Sequence, residues 1–249
     1  MLRAGHGGRR AWWGRGWALA AVLAVAGCSA LEEAASPSPA GDGKPPASAL
    51  ASAGAGGGRA AGAATTLPGV PGEQQARREL AGLRVAAQGS MAGYSRARFP
   101  HWVEQGESCN TRERVLERDG ANVRRDEECR AVSGRWVSVY DDEAFTDASD
   151  LDIDHTVPLA NAWRSGAADW TQERRRAFAN DLARPQLLAV SAASNRSKGD
   201  QGPEAWQPPA RTCWCPYARS WTTVKAAYDL TVTEAERDML TEMLDTCTP

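Results

Sequence analysis

Apolar residues recur at helical spacing at Ala76, Leu80, Leu83 and Ala87, which predicts a short helix starting near Glu73. Thr111 to Asp119 (TRERVLERD) predicts a second helix, with Thr111 as its cap. Gly134 to Tyr140 alternates apolar and polar positions and predicts a strand, turned by Asp141-Asp142. Leu151 to Pro158 (LDIDHTVP) predicts another strand, stopped by its proline. A helical turn follows at Ala160 to Ser165. A capped helix is predicted over Thr171 to Leu182, and a short apolar strand or buried connector over Gln186 to Val190. Ser191 to Lys198 opens the next helix. Ser220 to Tyr228 and Thr233 to Leu244 give two more, the last with Thr233 and Glu236 spaced as a capping box. Helices mixed with a few short strands predict an α+β fold.

The first quarter of the chain shows no such pattern. Arg3, Arg9, Arg10 and Arg15 precede a short apolar run, WALAAVLAVA, which fits the core of a signal peptide. The run ends in Val25-Ala26-Gly27-Cys28, which resembles a lipobox and implies cleavage before Cys28 and a lipid on its thiol. Residues 29–72 are dominated by Ala, Gly, Ser and Pro and read as a tether, because they hold too little apolar surface to offset ordering. The expected organisation is a leader over 1–28, a tether over 29–72 and one domain over 73–249. Such a protein is exported. It is held at the membrane through the lipid on Cys28 and faces the extracytoplasmic side, or it is released.

Export changes the reading of the cysteines, since disulfides persist in an oxidising compartment. Without Cys28 five remain: Cys109, Cys129, Cys213, Cys215 and Cys247. Cys109 and Cys129 form a natural local pair. Cys247 would pin the C-terminus to Cys213 or Cys215, with Cys215 preferred. Zinc at the Cys213-Trp214-Cys215 pair is the alternative, and nothing nearby supplies a clean fourth ligand.

Charge argues against a simple nucleic-acid footprint. The whole chain carries −2, and from Met91 onward 20 Lys and Arg stand against 26 Asp and Glu. Candidate basic contacts are Arg174-Arg175-Arg176, Arg184 and Arg196. Chemistry concentrates in Asp150, Asp152, Asp154 and His155. A strand puts Asp152 and Asp154 on one face and His155 on the other, unless the backbone bends there. A carboxylate suits a hard cation, and a neutral imidazole can take a proton from water. Forty residues on, Asn195-Arg196-Ser197-Lys198-Gly199-Asp200 offers an amide oxygen as a second hard ligand.

Together these two segments resemble the halves of the ββα-metal motif of HNH nucleases. The surroundings, including Ala162-Trp163, Phe178-Ala179-Asn180-Asp181-Leu182, Leu188-Ala189-Val190 and Trp206, resemble the C-terminal domain family of the GmrSD restriction endonucleases, in an exported bacterial form. The resemblance implies a ββα-metal core with surrounding helices. It also implies a divalent metal, Mg2+ or Mn2+, held by Asp154 and Asn195, and His155 as general base. Asp152, Asn180, Lys198 and Asp200 would support the site, Lys198 by neutralising phosphate charge and Asn180 by orienting the loop around His155. The substrate would be nucleic acid, with DNA expected. No Gly-rich phosphate loop occurs, so no nucleotide cofactor is expected. Two other readings remain open: a catalytically inactive lipoprotein of the same fold that binds a partner, and a cell-wall glycan hydrolase using Asp152 and Asp154, roughly 6–7 Å apart by strand rise.

Overall fold

The computed structural model describes residues 67–248. The leader, Cys28 and the tether as far as residue 66 lie outside the described residues. Helix α1 spans Glu73–Gly82 and buries Ala76 and Leu80. It ends at Gly82, short of the predicted Leu83 and Ala87. Residues 67–72, which composition assigns to the tether, touch the domain: Leu67 packs against the core, and Arg219 Nε donates to the Pro71 carbonyl at 2.6 Å.

Helix α2 (Thr111–Asp119) is capped by Asn110, whose side chain accepts from Glu113 N. The predicted cap, Thr111, is instead the first helical residue, and its hydroxyl reaches Asn180 Oδ1 at 2.8 Å. The strands β1 (Ala121–Arg125), β2 (Ala131–Val137) and β3 (Ala144–Phe145) form an antiparallel sheet. β1 escaped the sequence reading because ANVRR is mostly exposed and carries no alternation. A second sheet pairs β4 (Leu151–His155) with β5 (Leu187–Ser191), antiparallel, from Leu151↔Ser191 to His155↔Leu187 without a shift.

Helices α3 (Leu159–Arg164) and α4 (Gln172–Ala179) lie between these two strands in sequence. Thr171 caps α4 as predicted, accepting from Arg174 N. β5 runs directly into α5 (Ala192–Lys198), whose cap Ser191 accepts from Ser194 N. Asp141 Oδ2 accepts from both the Ser191 and Ser194 hydroxyls, which fixes the start of α5 to the turn after β2. Gly199, at φ +55°, turns the chain away at the other end. Helices α6 (Trp214–Ala227) and α7 (Glu234–Leu244) close the main core, and α7 carries the predicted capping box. α6 begins six residues before the predicted helix, because Tyr217 and Ala218 already face the core.

Both expected disulfides are present, Cys109–Cys129 and Cys215–Cys247. Cys213 is a buried free thiol, pushed up to about 12 chiefly by burial. No helix among the described residues is long and apolar enough to cross a membrane.

Candidate active site on β4

Strand β4 presents different chemistry on its two faces. On the face toward α5, Asp154 is buried, and its Oδ2 accepts from the Tyr140 hydroxyl at 2.6 Å and from Lys198 Nζ at 2.6 Å. Lys198 also donates to the His155 carbonyl at 2.8 Å. One turn earlier on α5, the same helix face brings Asn195 Nδ2 within 3.1 Å of Asp152 Oδ2. Two polar residues of α5 therefore each meet one acid of β4: Asn195 meets Asp152, and Lys198 meets Asp154.

His155 points the other way. The bend that would aim it beside Asp154 is absent, since the ladder stays in register through His155↔Leu187. Its ring Nε2 lies 3.0 Å from the Ala179 carbonyl at the end of α4. A carbonyl only accepts, so Nε2 carries the proton and Nδ1 is left as a bare acceptor. His155 is 4% exposed, and burial pushes its pKa down to about 3. The nearby charges of Arg96 and Lys198 act in the same direction, while the Ala179 carbonyl opposes them. The imidazole is therefore neutral across the physiological range.

Asn180, the next residue after that carbonyl, uses all its hydrogen-bonding capacity. Its Oδ1 accepts from Val103 N and Thr111 Oγ1, and its Nδ2 donates to the carbonyls of Pro100 and Arg176. These bonds fasten the segment that carries His101 and Trp102 to the end of α4. The Trp102 ring lies 5.8 Å from that of His155, and the His101 ring 6.5 Å from it. Trp102 holds a left-handed φ of 57°, a conformation that a bulky residue adopts only when its surroundings enforce it. Arg96 Nε donates to His101 Nε2 at 3.3 Å, while His101 Nδ1 lies 2.7 Å from the Phe99 carbonyl. Sequence reasoning missed Arg96, His101, Trp102 and Tyr140. The only signal was the aromatic run around Phe99-Pro100-His101-Trp102.

The remaining sequence candidates are placed elsewhere. Lys198 is fully buried and engaged by Asp154, so it does not face a phosphate. Asp200 is at the surface, paired with Arg164 at 2.7 Å. Arg175 is buried and donates to the carbonyls of Arg98, Ala167 and Trp170. Arg174 pairs with Asp229, Arg184 pairs with Asp181, and Arg196 lies 3.9 Å from Asp152.

Among the described residues, no three His, Cys, Asp or Glu side chains gather as a metal cluster. Oxygen donors from Asp152, Asp154 and Asn195 do line the β4–α5 face. The Asn195 amide nitrogen serves Asp152, which leaves its carbonyl oxygen available. This is the donor chemistry of a hard divalent cation.

Residues 110–243, more than half of the chain, match the family of GmrSD restriction endonucleases, C-terminal domain. The chain belongs to that family. An uncharacterized secreted protein of the fungus Arthroderma benhamiae is 56% identical to this GmrSD C-terminal domain protein over 182 residues, covering 73% of the chain and 89% of the relative. No solved structure matches it. The matched stretch begins at the cap of α2 and reaches into α7. It thus contains β4, β5, α5 and Asn180, but not Arg96, His101 or Trp102.

Proposed function

We propose that this family member is an exported nuclease that hydrolyses phosphodiester bonds, with DNA as the expected substrate. The observation that carries the reading is the Ala179 carbonyl at 3.0 Å from His155 Nε2. It fixes the tautomer in which Nδ1 can receive a proton. In this reaction Nδ1 takes the proton of a water whose oxygen attacks phosphorus. The bond from phosphorus to the leaving oxygen breaks, and the leaving oxygen is protonated from solvent. Arg96 is exposed, has no carboxylate partner among the described residues, and lies beside the two imidazoles. Its guanidinium serves as the local phosphate contact in a domain whose overall charge repels nucleic acid. Asp154 and Asn195, with Asp152 beside them, would hold Mg2+ or Mn2+ on the face of β4 opposite His155, where the cation would neutralise phosphate charge when bound. The pair of strands β4 and β5 followed by α5 has the order of a ββα-metal core, which supports the HNH assignment.

Asp154 is ion-paired to Lys198 and Asp152 accepts from Asn195, so both members of the proposed carboxylate pair are engaged, which disfavours the glycan hydrolase. The ordered Nδ1 acceptor disfavours an inactive binding module.

Purified protein is expected to nick plasmid DNA with Mg2+ or Mn2+ and to stop in EDTA. Cleavage that persists in EDTA removes the metal from the reaction. Export is supported by the leader and by the secreted relative. The lipobox-like Val25-Ala26-Gly27-Cys28 supports a lipid on Cys28, which holds the protein at a membrane. Metabolic labelling with an alkyne fatty acid is expected to mark the wild type and to fail in Cys28→Ser. Equal labelling of both would discard the anchor.

A further inference from the structure

Many arginines of this acidic domain are held by carboxylates, among them Arg114, Arg130 and Arg164. Of the Arg174-Arg175-Arg176 run, Arg174 pairs with Asp229 and Arg175 is buried against backbone carbonyls. Arg176 is exposed and makes no ion pair among the described residues. The same holds for Arg96 and Arg98, the two ends of the short turn Arg96–Arg98. Hydrogen bonds bring these three residues together. The Arg98 carbonyl accepts from Arg175 Nε at 3.1 Å. Asn180 Nδ2 donates to the Pro100 carbonyl at 2.7 Å and to the Arg176 carbonyl at 2.8 Å. The turn is thus laced to the end of α4, where the Ala179 carbonyl holds His155. Two groups beside it reach solvent. His155 Nδ1 and Trp102 Nε1 have no hydrogen-bond partner among the described residues, and neither atom is fully covered. The indoles of Trp136, Trp206, Trp214 and Trp221, by contrast, each donate to a protein acceptor.

We propose that Arg96, Arg98 and Arg176 form a track for the phosphates flanking the cleaved one, and that Trp102 takes an unpaired base beside it, so that the site selects single-stranded nucleic acid. The proposal rests on the nuclease reading for the kind of ligand and extends it to strandedness. A guanidinium without a carboxylate keeps its fork of donors for phosphate oxygens. Cations beside an aromatic ring are the combination that grips a single strand, because an unpaired base brings a free face to the ring. In a duplex that face is stacked on its neighbours. Trp102 is also set in place before a strand arrives. Its ring lies 5.8 Å from that of His155, and the next residue, Val103, donates its N–H to Asn180 Oδ1 at 3.1 Å. Phosphates and unpaired bases are common to DNA and RNA, so both are tested.

Fluorescence anisotropy of the full chain in EDTA reads binding without cleavage. The probes are labelled single-stranded DNA, single-stranded RNA and a DNA duplex, all of one mixed sequence. The tighter of the two single strands identifies the source, and it is expected to bind at least about tenfold tighter than the duplex. Trp102→Ala is expected to lose about tenfold of that preference, within the range for one base on an aromatic ring, and Trp102→Phe to keep it. Each phosphate contact on a single strand contributes about 0.7 to the slope of log affinity against log salt. Arg96→Gln with Arg98→Gln and Arg176→Gln is therefore expected to flatten that slope by about two. Arg78→Gln with Arg84→Gln removes two exposed arginines elsewhere and is expected to leave the slope unchanged. Equal affinity for single strand and duplex overturns the proposal. So does an unchanged slope in the triple variant, an equal loss in the Arg78 and Arg84 control, or an undiminished strand preference in Trp102→Ala. Binding that meets these expectations without any plasmid cleavage would sink the nuclease reading and leave the track standing.

Discussion

His155→Ala is expected to lower phosphodiester cleavage at least ~100-fold, the low end of what a positioned general base contributes. The substitution removes the Nδ1 acceptor and leaves the Ala179 carbonyl without its donor, while the α5 face of β4 is untouched. Initial rates on plasmid DNA at saturating Mg2+ measure it, and a rate within a few fold of wild type would take His155 out of the mechanism. The pH dependence gives an independent check. A free imidazole loses its acceptor near pH 6.5, whereas His155 keeps it down to about 3. Cleavage is therefore expected to show no acidic limb near pH 6.5 from this imidazole. Stability has the matching sign. The folded pKa lies below the unfolded one, so the unfolded chain binds the proton first. The contribution is fully present above about 6.5 and is lost as pH falls toward 3.

Lys198→Met is expected to destabilise the domain by ~3–5 kcal/mol, the scale for stripping one partner from a buried ion pair. Lys198 is wholly buried and Asp154 nearly so. Burial acts first to lower the lysine pKa, and Asp154 opposes it by Coulomb attraction and hydrogen bonding. Removal leaves Asp154 with the Tyr140 hydroxyl alone, and also strips a donor from the His155 carbonyl. Urea unfolding measures the loss. Adding Asp154→Asn to Lys198→Met is expected to recover part of it, because no uncompensated charge is then buried. A loss under about 1 kcal/mol in the single variant would mean that the pair is solvated.

Local signals in the chain served well where one element decided its own form. The capping box at Thr233 and Glu236, the cap at Thr171 and the strand LDIDH all follow from spacing and side-chain chemistry, and the structure has them. Sequence also placed Asp152, Asp154, His155 and Asn195 in one neighbourhood. It could not assign partners within it, because those depend on the angle at which α5 crosses β4. Asn195 might have met either acid by spacing alone, and it meets Asp152. Lys198 was expected to neutralise phosphate charge, and only the docked helix shows a carboxylate waiting beneath it. Arg96, His101 and Trp102 were illegible for a different reason. They lie more than fifty residues from His155 in sequence, and Asn180 draws them to it by bonds that no local pattern encodes.

The unbroken register of β4 and β5 makes the strand a partition. The imidazole is oriented from one side by the end of α4, and the oxygen ligands are held on the other by α5. The two sets share only the strand backbone and the single lysine that touches both. Editing His155 therefore silences proton transfer without dismantling the oxygen face or Arg96. On the proposed mechanism such a chain is expected to hold its nucleic acid uncut.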